Sequence, residues 1–162
     1  MTAAARRTGH AADTALRPGF WRDTALEDLS AREWEALCDG CGKCCLLKLE
    51  DEDTGQVAYT SLACRLFEDS NCRCGDYANR RSRVPQCVFI TPEVVRAEAH
   101  WMPKTCAYRL LGEGRDLPAW HPLVSGDPES VHTAGVSVRG RTISERHVPE
   151  QDAALFIIED EL

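Results

Sequence analysis

The run Cys38-Asp39-Gly40-Cys41-Gly42-Lys43-Cys44-Cys45 constrains this chain more than any other feature. Its spacing is C-x2-C-x2-C-C. Two residues between cysteines let a tight turn aim both sulfurs at one metal, and Gly40 and Gly42 permit the positive φ angles such turns need. Backbone N–H groups in the turn can also point at the thiolates and stabilise their charge. Three cysteines at successive x2 spacings resemble the grip on a [4Fe–4S] cluster in bacterial ferredoxins, but the x3-Cys-Pro continuation of that run is absent. A fourth ligand therefore comes from elsewhere. The spacing predicts Cys38, Cys41 and Cys44 at one site, closed by a sulfur from Cys64, Cys72, Cys74 or Cys87. Neighbouring side chains diverge, so Cys45 is expected to serve a second site or to pack as a small hydrophobe. The eight cysteines from Cys38 to Cys87 suffice in number for two four-sulfur sites; Cys106 lies further on and is left unassigned.

Nine cysteines in 162 residues form an odd set, awkward for a closed disulfide framework. Arg6 and Arg7 are not followed by the apolar stretch of a secretory signal, and no apolar run approaches the roughly 18 residues of a membrane helix. These features predict a cytoplasmic protein, where thiols stay reduced and so many of them argue for metal. The net charge of −7 offers no general attraction to nucleic acid or anionic lipid, so neither a nucleic acid nor a membrane is expected as partner. A protein partner stays open.

Residues 1–22 lack an apolar period and carry Arg6, Arg7, Arg17 and Arg22 against Asp13; they read as a disordered tail. The stretch from Glu150 to the end holds acids and no base and reads as a second, acidic tail over 150–162. Between them, 23–149 reads as one domain. Ser30 and Glu33 fit a capping box at the start of a short helix that runs into Cys38. Leu46–Leu49 and Val57–Tyr59 flank the turn Asp51-Glu52-Asp53-Thr54-Gly55 and predict a β-hairpin; the acids lack the further oxygen ligands of an EF-hand loop. From Ser61 to Gln86 the chain is polar, rich in Cys and Arg, and without a period. Thr91 and Pro92 start a helix ending near Trp101, a second short helix spans 104–111, 117–128 reads as an extended loop, and 136–143 as a second hairpin turning at Arg139-Gly140. The expected fold class is α+β, small and loop-rich, around a Cys-rich centre.

Charge gives the metal reading some support. Four thiolates around zinc or an oxidised [4Fe–4S] core leave a net charge of about −2. Arg73, Arg80, Arg81 and Arg83 surround Cys72, Cys74 and Cys87, although a solvated basic loop would look the same. None of the five histidines falls in zinc-finger spacing, and His121 in Trp120-His121-Pro122 reads as a structural loop histidine. No phosphate loop, dinucleotide fingerprint or nucleophile elbow is present. A thiol enzyme would need a cysteine beside a base, and only Cys106 with His121 suggests such a pair.

Several further stretches are familiar: Thr60–Cys64, Cys72-Arg73-Cys74, Val84-Pro85-x-Cys87, Pro103-x-x-Cys106-x-Tyr108-Arg109 and Trp120-His121-Pro122-Leu123. With the Cys38–Cys45 box they resemble the YcgN-like family of bacterial proteins, which carries the CxxCxxCC domain described as zinc- or iron-chelating. The resemblance runs from about Phe20 almost to the C-terminus. It implies metal binding with no assigned reaction; the same box also occurs in flagellin lysine methylases, so the domain can accompany an enzyme. The reading is a cytosolic protein chelating iron, as an iron–sulfur cluster of the [4Fe–4S] kind, or zinc. The alternatives are a small cluster-assisted enzyme, with His121, Asp127, Tyr77 and Arg109 as residues of interest, or a redox-active dithiol protein.

Overall fold

The computed structural model describes residues 15–158. Within them the chain is α+β, as expected, with short helices and two small sheets. A brief helix α1 (Phe20–Asp23) leads to α2 (Ala31–Ala36), where Ser30 and Glu33 form the capping box. A 3-10 turn over Lys43–Cys45 feeds β1 (Leu46–Glu50), which pairs antiparallel with β2 (Val57–Ala63). The acidic turn between them holds itself: Asp51 Oδ1 accepts from the Thr54 amide at 2.7 Å and its hydroxyl at 2.8 Å. Next come β3 (Phe67–Glu68) paired with β4 (Arg73–Cys74), then α3 (Arg80–Arg83). The helices α4 (Pro92–Glu98), capped by Thr91, and α5 (Ala107–Gly112) pack together, followed by α6 (Pro122–Ser125) and α7 (Ser130–Thr133).

Two small cores result. The larger gathers Leu37, Val95, Met102, Ala107 and Tyr108 under the helices, and Tyr108 donates from its hydroxyl to the Trp34 carbonyl at 2.8 Å. The smaller joins Leu46, Ala63, Cys72 and Val138 beneath the sheet. The register of β1 against β2 shifts between Leu46 and Lys48, a bulge that bends the strand beside the cysteine box.

Three sequence expectations change. The second hairpin does not form: β5 (Ile143–Ser144) pairs in parallel with β2, and the Val138 amide bonds the Cys41 carbonyl at 2.9 Å. The Arg139-Gly140 turn is real, but its upstream arm is held by the cysteine box instead of a partner strand. The stretch 117–128 contains α6, which starts at Pro122 behind the N-cap His121. Of the two expected tails, residues 1–14 and 159–162 lie outside the described residues. The adjoining parts are packed: Phe20 is 2% exposed, Ala153 is 3% exposed, and the Ile158 amide bonds the Tyr59 carbonyl at 2.8 Å.

Arg17 also lies in that N-terminal stretch and ties it down. Its Nε and Nη2 each donate to the Glu33 carboxylate at 2.7 Å, and this bond is the first cause holding the Glu33 pKa near 2, against an ordinary 4.5. The folded-state pKa is depressed, so the stabilisation is complete above pH 4.5 and is lost as pH falls toward 2. Urea unfolding should show the chain losing stability across that interval, and Glu33→Gln should be weaker at neutral pH and flatter below it. Parallel pH profiles for the two proteins would contradict this linkage.

Candidate metal centre

Four sulfurs face one cavity. Cys38, Cys41, Cys44 and Cys106 line it together with Asp39, Tyr108 and apolar neighbours such as Leu37. The local turns set the first three. Gly40 and Gly42 take φ of 78° and 79°, so each x2 step curls back on itself. The Gly40 amide donates to the Cys38 sulfur and the Lys43 amide to the Cys41 sulfur, each from two residues on. The fourth sulfur arrives from the N-cap of α5, where the Arg109 and Tyr108 amides bear on Cys106.

Three bonds clamp this loop to the C-terminal half. His121 Nε2 donates to the Leu37 carbonyl at 3.0 Å, the Val138 amide holds the Cys41 carbonyl, and Lys43 Nζ donates to the Thr105 hydroxyl at 3.2 Å. The His121 roles follow because Nδ1 accepts from the Leu123 amide at 3.1 Å, which fixes the proton on Nε2. Both ring nitrogens are therefore engaged by backbone, as the structural reading of this histidine expects.

The electrostatics of the cavity are uneven. Desolvation is the first cause pushing the thiols of Cys38 to about 12 and Cys106 to about 11, and it also raises Cys41. Cys38 and Cys44 nonetheless keep exposed surface, so the cavity opens to solvent at those two. Cys44 moves the other way, to about 7, first because the Cys45 thiol donates to it and then through the Lys48 ammonium. Lys48 Nζ sits over the Tyr59 and Trp101 rings at 5.1 and 5.5 Å and donates to the Leu46 and Cys44 carbonyls at 2.9 and 3.0 Å. Lys43 is 3% exposed. Asp39 Oδ1 accepts from the Cys41 amide at 2.8 Å, whereas Oδ2 is buried with no hydrogen-bond partner.

The remaining predicted ligands fall elsewhere. The Cys64 amide bonds the Cys45 carbonyl at 2.8 Å, Cys74 pairs with Phe67 across β3 and β4, and Cys87 follows α3. Cys72 stands apart: it is 5% exposed, and its Sγ faces the Cys41 carbonyl at 3.7 Å inside the smaller core. Its φ of 56° is in the left-handed region, the only non-glycine case among the described residues. Cys44 and Cys45 sit together in the 3-10 turn over Lys43–Cys45, Cys44 exposed and Cys45 half-buried. Cys106, Lys43 and Lys48 were not foreseen at the centre. The short-range signal for Cys106 was present in Pro103-x-x-Cys106, where proline ends one turn and cysteine caps the next helix. Among the described residues, no three His, Cys, Asp or Glu side chains converge tightly enough to hold a single ion.

The three other residues of interest for an enzyme are engaged locally. The Tyr77 hydroxyl donates to Glu35 at 2.8 Å, Arg109 bonds the Met102 carbonyl at 2.6 Å, and Asp127 Oδ1 accepts from the Glu129 amide at 2.9 Å. None of them lines the cavity.

A Sinorhizobium fredii protein of the UPF0260 family is 56% identical over 139 residues, 86% of this chain and 89% of its own length. A Rhodobacter capsulatus relative is 58% identical over 90% of this chain and 97% of its own length. The chain belongs to the UPF0260 family. Another UPF0260 protein, from Rhizorhabdus wittichii, is 62% identical over 78% of this chain and 86% of its own length. Residues 37–107 match the CxxCxxCC family model, described as "Putative zinc- or iron-chelating domain", and that span includes all nine cysteines. No solved structure matches the chain. Among the described residues no helix is long and apolar enough to cross a membrane.

Proposed function

We propose that this chain is a metal-binding module in which Cys38, Cys41, Cys44 and Cys106 hold a thiophilic metal group, an iron–sulfur cluster ahead of zinc. The observation that carries the reading is four cysteines around one cavity with two lysines beside it. A buried ammonium is expensive to desolvate, and burial is the first cause lowering the Lys43 and Lys48 pKa values. A four-thiolate group of net charge about −2 would balance both.

The choice of metal rests on spacing. Zinc at about 2.3 Å from each sulfur needs its sulfurs about 3.8 Å apart, and here the thiols ring a cavity without converging on a point. A cluster spreads its thiolates more widely and would occupy the mouth at Cys38 and Cys44 as well as the enclosed space, which is about 30 Å3. When bound, a cluster would supply one-electron transfer and zinc a cross-link. The chain's own residues place the sulfurs, donate amides to them and set positive charge behind them.

The test is anaerobic purification followed by metal analysis and an absorption spectrum. A brown protein with a broad band near about 400 nm, bleaching in air, is expected for the cluster. Cys41→Ser should abolish that colour. His121→Gln should keep it, although losing the clamp on Leu37 should destabilise the fold by about 1–3 kcal/mol. A colourless preparation with stoichiometric zinc and no iron would reject the cluster while keeping the site. The redox-dithiol reading has one observation in its favour, the placing of the adjacent free cysteines Cys44 and Cys45 in one 3-10 turn. A metal-free isolate with a Cys44–Cys45 disulfide in a peptide map would select that reading.

A further inference from the structure

The surface around α3 sets exposed apolar side chains beside arginines that no carboxylate answers. Tyr77, Val88 and Phe89 are 51%, 47% and 43% exposed. Arg80 lies over both rings, its guanidinium carbon 3.6 Å from the Tyr77 centroid and 4.1 Å from that of Phe89. Arg81 lies 5.2 Å from the Phe89 centroid. Backbone also holds Arg80, whose Nη1 donates to the Tyr77 carbonyl at 2.7 Å. The nearby acids are committed elsewhere. Asp76 accepts from Arg83 and from the Asn79 side-chain amide, each at 2.8 Å, and Glu35 accepts from the Tyr77 hydroxyl at 2.8 Å. Among the described residues the ion pairs of this region belong to Arg65 and Arg83, and neither Arg80 nor Arg81 has one.

An arginine pinned in this way is a prepared recognition group. Stacking on a ring leaves the N–H edge of the guanidinium for a carboxylate, and a side chain already held loses little freedom on binding. Exposed aromatic rings beside arginine also match the composition of protein–protein interface centres. The sign of the charge narrows the partner. The chain as a whole carries −7, so a long polyanion meets repulsion beyond the patch, whereas a short acidic segment meets the arginines alone. We infer that Tyr77, Arg80, Arg81, Val88 and Phe89 form a docking surface for an acidic segment of a protein partner, its carboxylates on the two arginines and an apolar side chain on Val88 and Phe89. The surface borders the four-cysteine cavity. Tyr77 bonds Glu35 on α2, the helix that runs into Cys38, and Ile90, next after Phe89, lines the cavity while its carbonyl accepts from Trp34 Nε1 at 3.0 Å. A docked partner would thus stand beside those thiols, and the docking itself does not depend on what the cavity holds.

Fluorescence anisotropy with the full chain and a labelled peptide of Glu, Asp and Leu tests this. The peptide should bind, and its counterpart with Gln and Asn for the acids should bind at least about tenfold more weakly, because the carboxylates supply the charge-assisted bonds. Arg81→Glu should cost at least about tenfold in affinity, whereas Arg146→Glu, the same charge change at an exposed arginine in the 3-10 turn over Glu145–His147, should cost less than about twofold. Phe89→Ala should cost about fivefold through its lost apolar contact. A peptide that fails to bind overturns the surface, as do equal losses at Arg81 and Arg146, which would report net charge alone. Tighter binding of a single-stranded oligothymidylate than of the acidic peptide would also overturn it. Amide NMR of the wild-type chain supplies a readout free of any variant: the peptide should shift signals across 77–89 and leave those of β5 and 145–147 in place. Shifts centred outside 77–89, or spread over the whole chain, would overturn the assignment.

Discussion

Stripping metal from the chain should erase amide protection between Cys38 and Cys87 while much of the protection in α4 and α5 survives. The two halves are stabilised differently. The helices close over Leu37, Val95, Met102, Ala107 and Tyr108, and α4 has its own Thr91 cap and N-terminal Pro92. A Cβ on Gly112 would come within 2.5 Å of Val95 Cγ1, which shows how closely α4 and α5 pack. The cysteine half buries fewer and smaller apolar side chains, chiefly Leu46, Leu62, Ala63 and Cys72, with Val138 of the C-terminal half packed against Leu46, Ala63 and Cys72. Structural zinc contributes on the order of 10 kcal/mol to the folding of small finger domains, far more than so small a core can supply. Hydrogen exchange with and without chelator would resolve the two halves. Uniform loss of protection across both would refute a metal-dependent half, and unchanged protection would refute metal as its support.

The second large effect is expected at Gly42. Its φ of 79° lies in the left-handed region, and a Cβ built there would stand 2.7 Å from Phe67 Cζ and 2.9 Å from Val138 Cγ2. Gly42→Ala therefore combines left-handed strain of about 1–2 kcal/mol with overpacking of about 1–3 kcal/mol. A loss of about 3 kcal/mol in urea unfolding is expected, together with weaker metal retention, because Phe67 and Val138 must move away from the box. Gly40 is the internal control. It has nearly the same φ, 78°, but no atom within 4 Å of its would-be Cβ, so Gly40→Ala should lose only the strain component. Equal losses for the two variants would show that crowding at Gly42 is relieved at no cost.

Local signals in the sequence were read well because short-range chemistry decides them. The Ser30–Glu33 capping box, the Thr91-Pro92 helix start and the hairpin around Asp51–Gly55 each depend on bonds spanning a few residues. Cys106 was different. Its place opposite Cys38 and Cys41 is a tertiary fact set by how α5 packs, and no spacing rule relates residues so far apart. The failed hairpin at 136–143 has the same origin. Val138 has strand-forming character, yet its amide goes to the Cys41 carbonyl, a partner nearly the whole domain away. Nothing in the spacing singles out Lys43 and Lys48, whose place beside the sulfurs depends on how the box folds back on β1. The Cys64–Cys87 stretch has no period to read, and its regular structure is limited to the β3–β4 pair, a 3-10 turn and α3.

The clamp from Val138 to Cys41 also fixes a sequence of events during synthesis. About 100 residues separate the two, so at about 5–20 residues per second the ribosome delivers the clamp roughly 5–20 s after the cysteine box. Thr105 and Cys106 emerge first, then His121, and Val138 last, so the four-cysteine cavity and its clamps are completed in that order. Until then the nascent chain carries Cys38, Cys41 and Cys44 on an open, untethered loop.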